Sequence, residues 1–334
     1  MNKAELLARL KPEIDTVDQA MRTDLQSLAG QELIPASLVA VLEHALFTGG
    51  KRIRPLLCIL TAGLCGSNSK AVYRLAIAFE YLHVATLLHD DVIDHADTRR
   101  GRPAANTVFG LAPAILAGDF LHARSMYLVG TIGGKRSLEL ICSATEAMAA
   151  GEFLQLDNVQ NFNQSEKDYF AVINGKTALF IGAVCETGAI FAGASAEKIA
   201  ALKTYGANLG MAFQIQDDLL DYLGDPAKTG KTCGNDFCEG KMTLPLIHSL
   251  KTADKSARYF LLDLLRGKKS ERRAELEKAK EIIAQNGGFE YGRQLAEKLI
   301  GAGIAGLDIF SARHYEQIIA TLTGLAEYVV SRDR

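Results

Sequence analysis

Two aspartate clusters with the same spacing place the strongest constraint on this sequence. The clusters read DDVID and DDLLD, and their acidic residues are Asp90, Asp91, Asp94, Asp217, Asp218 and Asp221. Each cluster ends a mainly apolar segment. On an α-helix, residues i and i+4 share a face, so the outer two aspartates of each cluster project in the same direction. Carboxylates this close repel one another, and the sequence therefore predicts two helix ends that bind hard divalent cations.

A single cluster of this kind is also typical of a solvated acidic helix end. Two copies argue against that reading, because each is followed by a long polar loop with basic residues, at 95–111 and 224–241. Mg²⁺ is the expected ion, since it is bound by one or two carboxylates together with waters and substrate phosphates. The glycine and final glutamate of a calcium-binding EF-hand loop are not found.

The rest of the chain reads as helical. Apolar residues recur at helical spacing, as at Tyr315, Ile318, Ile319 and Leu322. Helices are predicted at 3–28, 35–48, 55–65, 71–95, 112–130, 135–157, 166–192, 196–223, 243–252, 255–267, 271–286, 289–305 and 312–331. Asn174 and Gly175 give a hairpin signal, but helical patterning continues past them, so we expect a kinked helix there. No linker divides the chain, which predicts one all-α domain over residues 1–334.

Composition excludes several classes of function. The chain has 37 basic and 39 acidic residues among 334, so no overall charge favours nucleic acid or an anionic membrane. The six cysteines are scattered without a CxxC pair, which favours reduced thiols in the cytoplasm. The first residues lack the apolar core of a signal peptide, and no transmembrane helix is expected from the apolar runs.

Basic residues follow glycines or the aspartate clusters at loops and kinks. They are Lys51, Arg52, Arg54, Arg99, Arg100, Lys176, Lys228, Lys231 and Lys241. Arginine binds phosphate with a planar fork and lysine binds it as a point charge. Any one of these residues fits ordinary surface charge. Together with the aspartates and the apolar run before Asp90, they indicate a substrate with an oily tail and a highly anionic head.

Several motifs resemble those of the trans-polyprenyl diphosphate synthases. They are GGKRIRP, LLHDDVIDHADTRRGRP, GDF at 118–120, GEFLQL at 151–156, GKTA at 175–178, FQIQDDLLDYLGD and GKTCGNDFCEGKMTLP. The likeness covers nearly the whole chain and is closest to the bacterial long-chain group. It implies a bundle of long antiparallel helices around a deep central cavity, usually in a homodimer, with the two aspartate motifs facing each other across the mouth of the cavity.

The resemblance also implies roles for individual residues. Asp90 and Asp94 would hold two Mg²⁺ ions and Asp217 a third, with Asp91, Asp218 and Asp221 nearby. The allylic diphosphate would be bound by Arg99, Lys176 and Lys231. Isopentenyl diphosphate would be bound by Lys51, Arg54, His83 and Arg100, with Phe213 lining its site. Thr177 and Gln214 would direct oxygen dipoles at the allylic cation, and Asp236 and Lys241 would complete the second diphosphate loop.

Product length follows from the turn below the first motif. Ala85 and Thr86 are small where short-chain members carry bulky aromatics, so a short C15 product is disfavoured. Tyr81 faces either the cavity, which favours C20–C25, or the core. Overall similarity favours C40, for quinone side chains, with transient membrane contact on product release. Two further alternatives are a class I terpene cyclase, which normally pairs one DDxxD motif with an Asn/Ser/Glu motif, and a non-catalytic helical subunit, which typically loses the aspartates.

Overall fold

The computed structural model describes residues 3–224, 233–310 and 312–331, and almost all of them are helical. The α-helices are α1 Lys3–Ala29, α2 Ala36–Leu46, α3 Ile53–Leu64, α4 Ala71–Ile93, α5 Ala105–Phe109, α6 Leu111–Leu128, α7 Gly134–Asn161, α8 Glu166–Ile173, α9 Leu179–Phe191, α10 Ala196–Leu223, α11 Asn235–Glu239, α12 Leu244–Thr252, α13 Lys255–Arg266, α14 Lys269–Ala274, α15 Leu276–Gln285, α16 Gly288–Ala305 and α17 Glu316–Ser331. The predicted all-α class is confirmed.

A two-stranded ribbon follows the first aspartate motif, and the sequence patterns do not predict it. Strand β1 (Thr98–Arg99) pairs antiparallel with β2 (Arg102–Pro103). The two residues between the strands, Arg100 and Gly101, both have positive φ, at 53° and 75°. Positive φ at both central positions is the backbone of a tight hairpin turn, which the glycine favours. Arg99 therefore ends the first strand, whereas Arg100 begins the turn, so the two neighbouring arginines differ in backbone conformation.

The helix interruption predicted at Gly175 takes the form of a π-helical turn. Residues Asn174–Ala178 form this turn between α8 and α9, and it contains Lys176 and Thr177. Wider turns of this kind are rare, bend a helix and are frequent at functional sites. A second π-helical turn, Val129–Gly133, joins α6 to α7.

Internal contacts divide the chain into two compact units. Unit 1 comprises Met1–Cys142, Val184–Ala200 and Ala312–Leu322. Its central element is α4, which is buried on most sides and packs against α1, α3 and α6. Gly118 in α6 makes this packing close, because a Cβ there would lie 2.3 Å from Nε2 of His89. The C-terminal end of α4 carries the first aspartate motif.

Unit 2 comprises Ser143–Ala183, Ala201–Ser311 and Thr323–Arg334. Its core includes Tyr222 on α10, whose ring contacts those of Phe237 and Phe289 and whose hydroxyl lies 3.0 Å from that of Thr243. The last turns of α10 carry the second aspartate motif. That the whole chain forms one domain stays a prediction.

Two helical stretches, Ala71–Ile93 and Glu166–Phe191, are apolar and long enough to cross a membrane by length and composition alone. In each stretch most of the apolar 18-residue window, 67% and 72% respectively, is buried inside the protein, as is usual for the core helix of a soluble protein. All six cysteines are free thiols.

Candidate active site

The first aspartate motif occupies the last turn of α4 in unit 1. The carboxylate of Asp91 is buried and accepts a 2.8 Å hydrogen bond from Nε of Arg99 as well as a contact from Nη2. Asn106 donates to the backbone oxygens of Asp91 and Ala96 at 3.2 and 3.1 Å, which fixes the chain after the motif. Asp94, in contrast, is exposed. The middle aspartate therefore holds an arginine, and an outer one faces solvent.

The residues assigned to isopentenyl diphosphate also lie in unit 1. Lys51 is exposed, Arg54 is half-buried, and Arg100 donates to the backbone oxygen of Gly49. Burial, reinforced by Arg54, Arg100, Arg99 and Arg52, holds the pKa of His83 well below its ordinary value of 6.5. His83 is therefore a neutral imidazole among several arginines at neutral pH.

The residues assigned to product length lie on α4, the helix that also carries His83. Ala85 is buried, and the hydroxyl of Thr86 donates to the backbone oxygen of His83 at 2.8 Å. Tyr81 is fully buried, and its hydroxyl donates to Oδ2 of Asp24 at 3.1 Å. This hydrogen bond ties α4 to α1 and directs Tyr81 into the packed interior of unit 1, which matches the core alternative. A role of Tyr81 in product length stays a prediction.

The second aspartate motif belongs to a hydrogen-bonded chain in unit 2. Tyr169 donates to Oδ2 of the buried Asp218 at 2.7 Å, and Nε2 of Gln214 donates to Oδ1 at 3.2 Å. Thr177 in turn donates to Oε1 of Gln214 at 3.2 Å. Burial, with a contribution from the charge of Asp236, raises the pKa of Asp218 to about 8. The structure thus connects Thr177 and Gln214, for which the family resemblance implies one shared role.

Lys176 reaches a carboxylate of the GEFLQL motif. Its Nζ lies 2.7 Å from Oε1 of Glu152, and both side chains are partly exposed. The contact requires α7 and the π-helical turn to approach closely at two glycines. A Cβ on Gly151 would lie 2.9 Å from the backbone nitrogen of Lys176, and one on Gly175 would lie 2.8 Å from the backbone oxygen of Ala147. These distances explain why glycine stands in both motifs.

Helix α11, which follows the second motif in the sequence, makes hydrogen bonds with the motif at its start and an ion pair with Lys241 beyond its end. Asp221 accepts backbone hydrogen bonds from Asn235 and Asp236 at 3.2 and 2.9 Å, at the start of α11. Burial and the charge of Asp236 raise the pKa of Asp221 to about 6. Lys241 lies 2.9 Å from Asp236 and 3.1 Å from Glu239. Burial lowers the pKa of Lys241, but these two carboxylates outweigh it and raise that pKa overall.

A small cavity of about 90 Å³ in unit 2 collects several of these groups. It is lined in part by Tyr169, Lys176, Gln214, Asp218 and Lys241. Phe213 and Asp217 are half-buried on the same helix, α10. Lys231 and Lys228 lie outside the described residues, so their assignment stays a prediction.

The carboxylates fit a divalent metal ion whose remaining ligands are waters and substrate phosphates. Within residues 3–224, 233–310 and 312–331 no three His, Cys, Asp or Glu side chains form a closed metal-binding group. Mg²⁺ takes one or two carboxylates together with waters and substrate phosphates, so it does not require such a group.

Four residues in these networks were not predicted as site residues. Tyr169, Glu152 and Asn106 each hold a motif residue, and Arg273 donates to the backbone oxygen of Cys233 at 2.6 Å. Glu152 lies inside the GEFLQL motif, and that position could have identified it as a site residue. Tyr169 and Arg273 lie 49 and 40 residues from their partners, and no local pattern reports such a contact.

Comparison with known proteins gives a consistent result. The family model described as polyprenyl synthetase matches residues 35–283. Octaprenyl diphosphate synthase of Escherichia coli is 38% identical over 286 residues, covering 86% of this chain and 87% of the relative. A short chain isoprenyl diphosphate synthase of Methanocaldococcus jannaschii is 35% identical over 294 residues, covering 87% and 88%.

A solved structure shares the fold over nearly its full length. The polyprenyl synthase of Caulobacter crescentus, complexed with calcium and isoprenyl diphosphate, superposes with a TM-score of 0.85 at 34% identity. The match covers 98% of this chain and 97% of that one. Paired aspartate motifs, cations beside them and these matches lead to one conclusion: the chain belongs to the polyprenyl synthetase family and is a prenyltransferase.

Proposed function

We propose that the protein is a trans-polyprenyl diphosphate synthase, which condenses an allylic diphosphate with successive isopentenyl diphosphates. The observation that carries the proposal is that each aspartate motif lies beside cationic side chains that are paired with acidic ones. Arg99 is held by Asp91 in unit 1, and Lys176 and Lys241 are held by Glu152 and Asp236 in unit 2. Arginine binds a diphosphate with its planar fork and lysine binds it as a point charge.

The proposed metal is Mg²⁺, about three ions with diphosphate bound. Asp90, Asp94 and Asp217 would hold them, with Asp91, Asp218 and Asp221 in support. When bound, Mg²⁺ neutralises the charge of the departing diphosphate. This charge stabilisation is the largest demand on the site, because diphosphate leaves slowly unless its negative charge is compensated.

The chain's own residues then divide the remaining work. Arg99, Lys176 and Lys231 orient the allylic diphosphate as its C1–O bond breaks. Lys51, Arg54 and Arg100 hold isopentenyl diphosphate, whose double bond attacks C1. The departing diphosphate takes the proton that is lost. The hydroxyl of Thr177 and the side-chain oxygen of Gln214 face the developing cation, from which water must be excluded.

A long product of about C40 is proposed, in a cytoplasmic homodimer. Small side chains at Ala85 and Thr86 leave room for a long tail, and the free cysteines suit a reducing compartment. A C20–C25 product is the alternative, since a short-chain relative is nearly as similar as the octaprenyl one. Quinone side chains remain the proposed use of the product, with transient membrane contact on its release.

The test is incubation of the purified protein with farnesyl diphosphate, isopentenyl diphosphate and Mg²⁺, followed by chromatographic sizing. A C40 product supports the proposal, and C20–C25 products support the alternative length. A cyclised product formed without isopentenyl diphosphate would identify a terpene cyclase. Absence of turnover by the protein alone would instead favour a non-catalytic subunit. Sedimentation of the same sample measures whether it is a dimer.

A further inference from the structure

Arg52 differs from the other basic residues of the GGKRIRP motif. It lies directly after Lys51 and two residues before Arg54, yet its side chain points inward and only 3% of the residue is exposed. Its three nitrogens all donate: Nε to Asp18 at 2.8 Å, Nη1 to Glu80 at 2.7 Å and Nη2 to the backbone oxygen of Leu46 at 2.7 Å. Because all three nitrogens of the guanidinium donate to groups inside unit 1 and the residue is buried, the side chain is not directed at a substrate phosphate.

These hydrogen bonds join the motif to the helices around it. Asp18 lies on α1, Leu46 ends α2, and Glu80 lies on α4 three residues before His83. Glu80 is itself only 2% exposed, so the Arg52–Glu80 pair is shielded from water. A buried ion pair with directed hydrogen bonds fixes geometry far better than an exposed one does.

The backbone at this point has little freedom to adopt another path. Arg52 has a φ of +51°, in the left-handed region that is energetically unfavourable for residues other than glycine. A Cβ on Gly50 would lie 2.8 Å from Nη1 of Arg100 and 3.2 Å from Nη1 of Arg52. Arg100 also donates to the backbone oxygen of Gly49. The two arginines therefore hold the glycine pair between them.

We propose that Arg52 is a positioning residue for isopentenyl diphosphate. With Glu80 it holds the motif in the conformation that presents Lys51 and Arg54 to the diphosphate, while it makes no contact with substrate itself. The inference rests on the proposed function, because it takes the role of Lys51 and Arg54 from there. It assigns Arg52 and Glu80 a role that differs from that of the neighbouring phosphate-binding cations.

The first test is Arg52→Lys. Lysine keeps the charge but is a single point donor on a flexible stem, so it does not reproduce the three directed hydrogen bonds. Displaced cations bind the diphosphate less tightly in the ground state and the transition state alike, which raises KM and leaves kcat unchanged. We expect the KM for isopentenyl diphosphate to rise about tenfold, while kcat and the KM for farnesyl diphosphate stay within about twofold. The control is Arg74→Lys, which alters an exposed arginine on α4.

A second variant tests whether the loss of affinity occurs in a protein that is still folded. Arg52→Met combined with Glu80→Met removes both buried charges together, and such replacements are often neutral for stability. We expect cooperative thermal unfolding as in the wild type, together with the same selective loss of isopentenyl diphosphate affinity. Calorimetric binding of isopentenyl diphosphate reads that loss without turnover.

The outcomes separate this inference from the proposed function. Wild-type protein that forms no polyprenyl product with isopentenyl diphosphate would overturn the proposed function. Active wild type with a folded double variant of unchanged isopentenyl diphosphate affinity would overturn the positioning role of Arg52. An equal rise in both KM values would also overturn it, because a general disturbance of the fold would produce that result.

Discussion

Tyr169 donates a 2.7 Å hydrogen bond to Asp218, the middle aspartate of the second motif. The middle aspartate of the first motif, Asp91, is bound in a similar way by Arg99. Both middle aspartates are buried, with 6% and 4% of the residue exposed. In each motif the middle position therefore serves the protein's own structure. Asp221 also accepts two backbone hydrogen bonds, so Asp90, Asp94 and Asp217 are the better candidates for metal.

Tyr169→Phe should separate these roles in unit 2. It removes the donor to a buried carboxylate, and an unsatisfied buried acceptor costs about 1–3 kcal/mol. We expect the free energy of unfolding to fall by about that amount, and kcat to fall about tenfold because Gln214 shares the same carboxylate. Urea unfolding and steady-state kinetics measure both. Tyr259→Phe, at a 70% exposed tyrosine, is the control, and equal behaviour of the two variants would contradict the prediction.

Asp90→Ala and Asp217→Ala should reduce turnover by orders of magnitude while the fold persists. Loss of a metal ligand removes charge stabilisation from the departing diphosphate. Initial rates over a range of Mg²⁺ concentrations, with circular dichroism of each variant, provide the measurement. Chelation of divalent ions should abolish wild-type activity, and full activity in both variants would exclude these residues as essential ligands.

Ala85→Phe should shorten the product. Ala85 is 2% exposed on the turn below the first motif, so a phenyl ring there fills space or strains its neighbours by about 1–3 kcal/mol. Thr86→Phe tests the adjacent, half-buried position with less strain. Chromatographic sizing of the products compares both with the wild type. An unchanged product ladder in both folded variants would place the limit on tail length elsewhere.

Stability should fall at acidic pH because of His83. Its pKa is lowered in the folded protein, chiefly by burial, so the unfolded chain binds more protons below about pH 6.5. The contribution of His83 to stability is therefore present at neutral pH and is lost as pH falls, by at most about 1.4 kcal/mol per pH unit. Thermal unfolding of His83→Gln from pH 7 to 5 should show a shallower loss. His314→Gln, at an exposed histidine, should keep the wild-type slope.

Glu152→Gln should tighten diphosphate binding at Lys176. Diphosphate must compete with the Glu152 carboxylate, and a partly exposed ion pair of this kind is worth about 0.2–1 kcal/mol. We expect the Kd for inorganic pyrophosphate to fall by at most about fivefold, as measured by calorimetry. Glu146→Gln, at an exposed position on the same helix, should leave it unchanged. Weaker binding in Glu152→Gln would mean that Glu152 instead supports the site.

The amino-acid sequence by itself determined the helical class, the two aspartate motifs and the irregularity at Gly175, which the structure shows as a π-helical turn. These features are local: apolar periodicity, the i to i+4 spacing of Asp90 and Asp94, and the glycine before Lys176 act within a few turns of helix. The ribbon at Arg99–Arg102 was missed because two residues per strand carry no measurable alternation.

Only the tertiary structure decided how neighbouring, chemically similar residues divide their roles. The sequence groups Arg52 with Lys51 as phosphate-binding cations, and it places Asp91 beside Asp90 and Asp94 without indicating that Asp91 binds Arg99. The fold turns Arg52 and Asp91 inward, toward Glu80 and Arg99, because a buried charge is stable only when a partner and hydrogen bonds satisfy it. For Arg52 that partner lies 28 residues away, and Tyr169 is 49 residues from Asp218. Sequence spacing cannot specify such contacts, which arise when separate helices pack together.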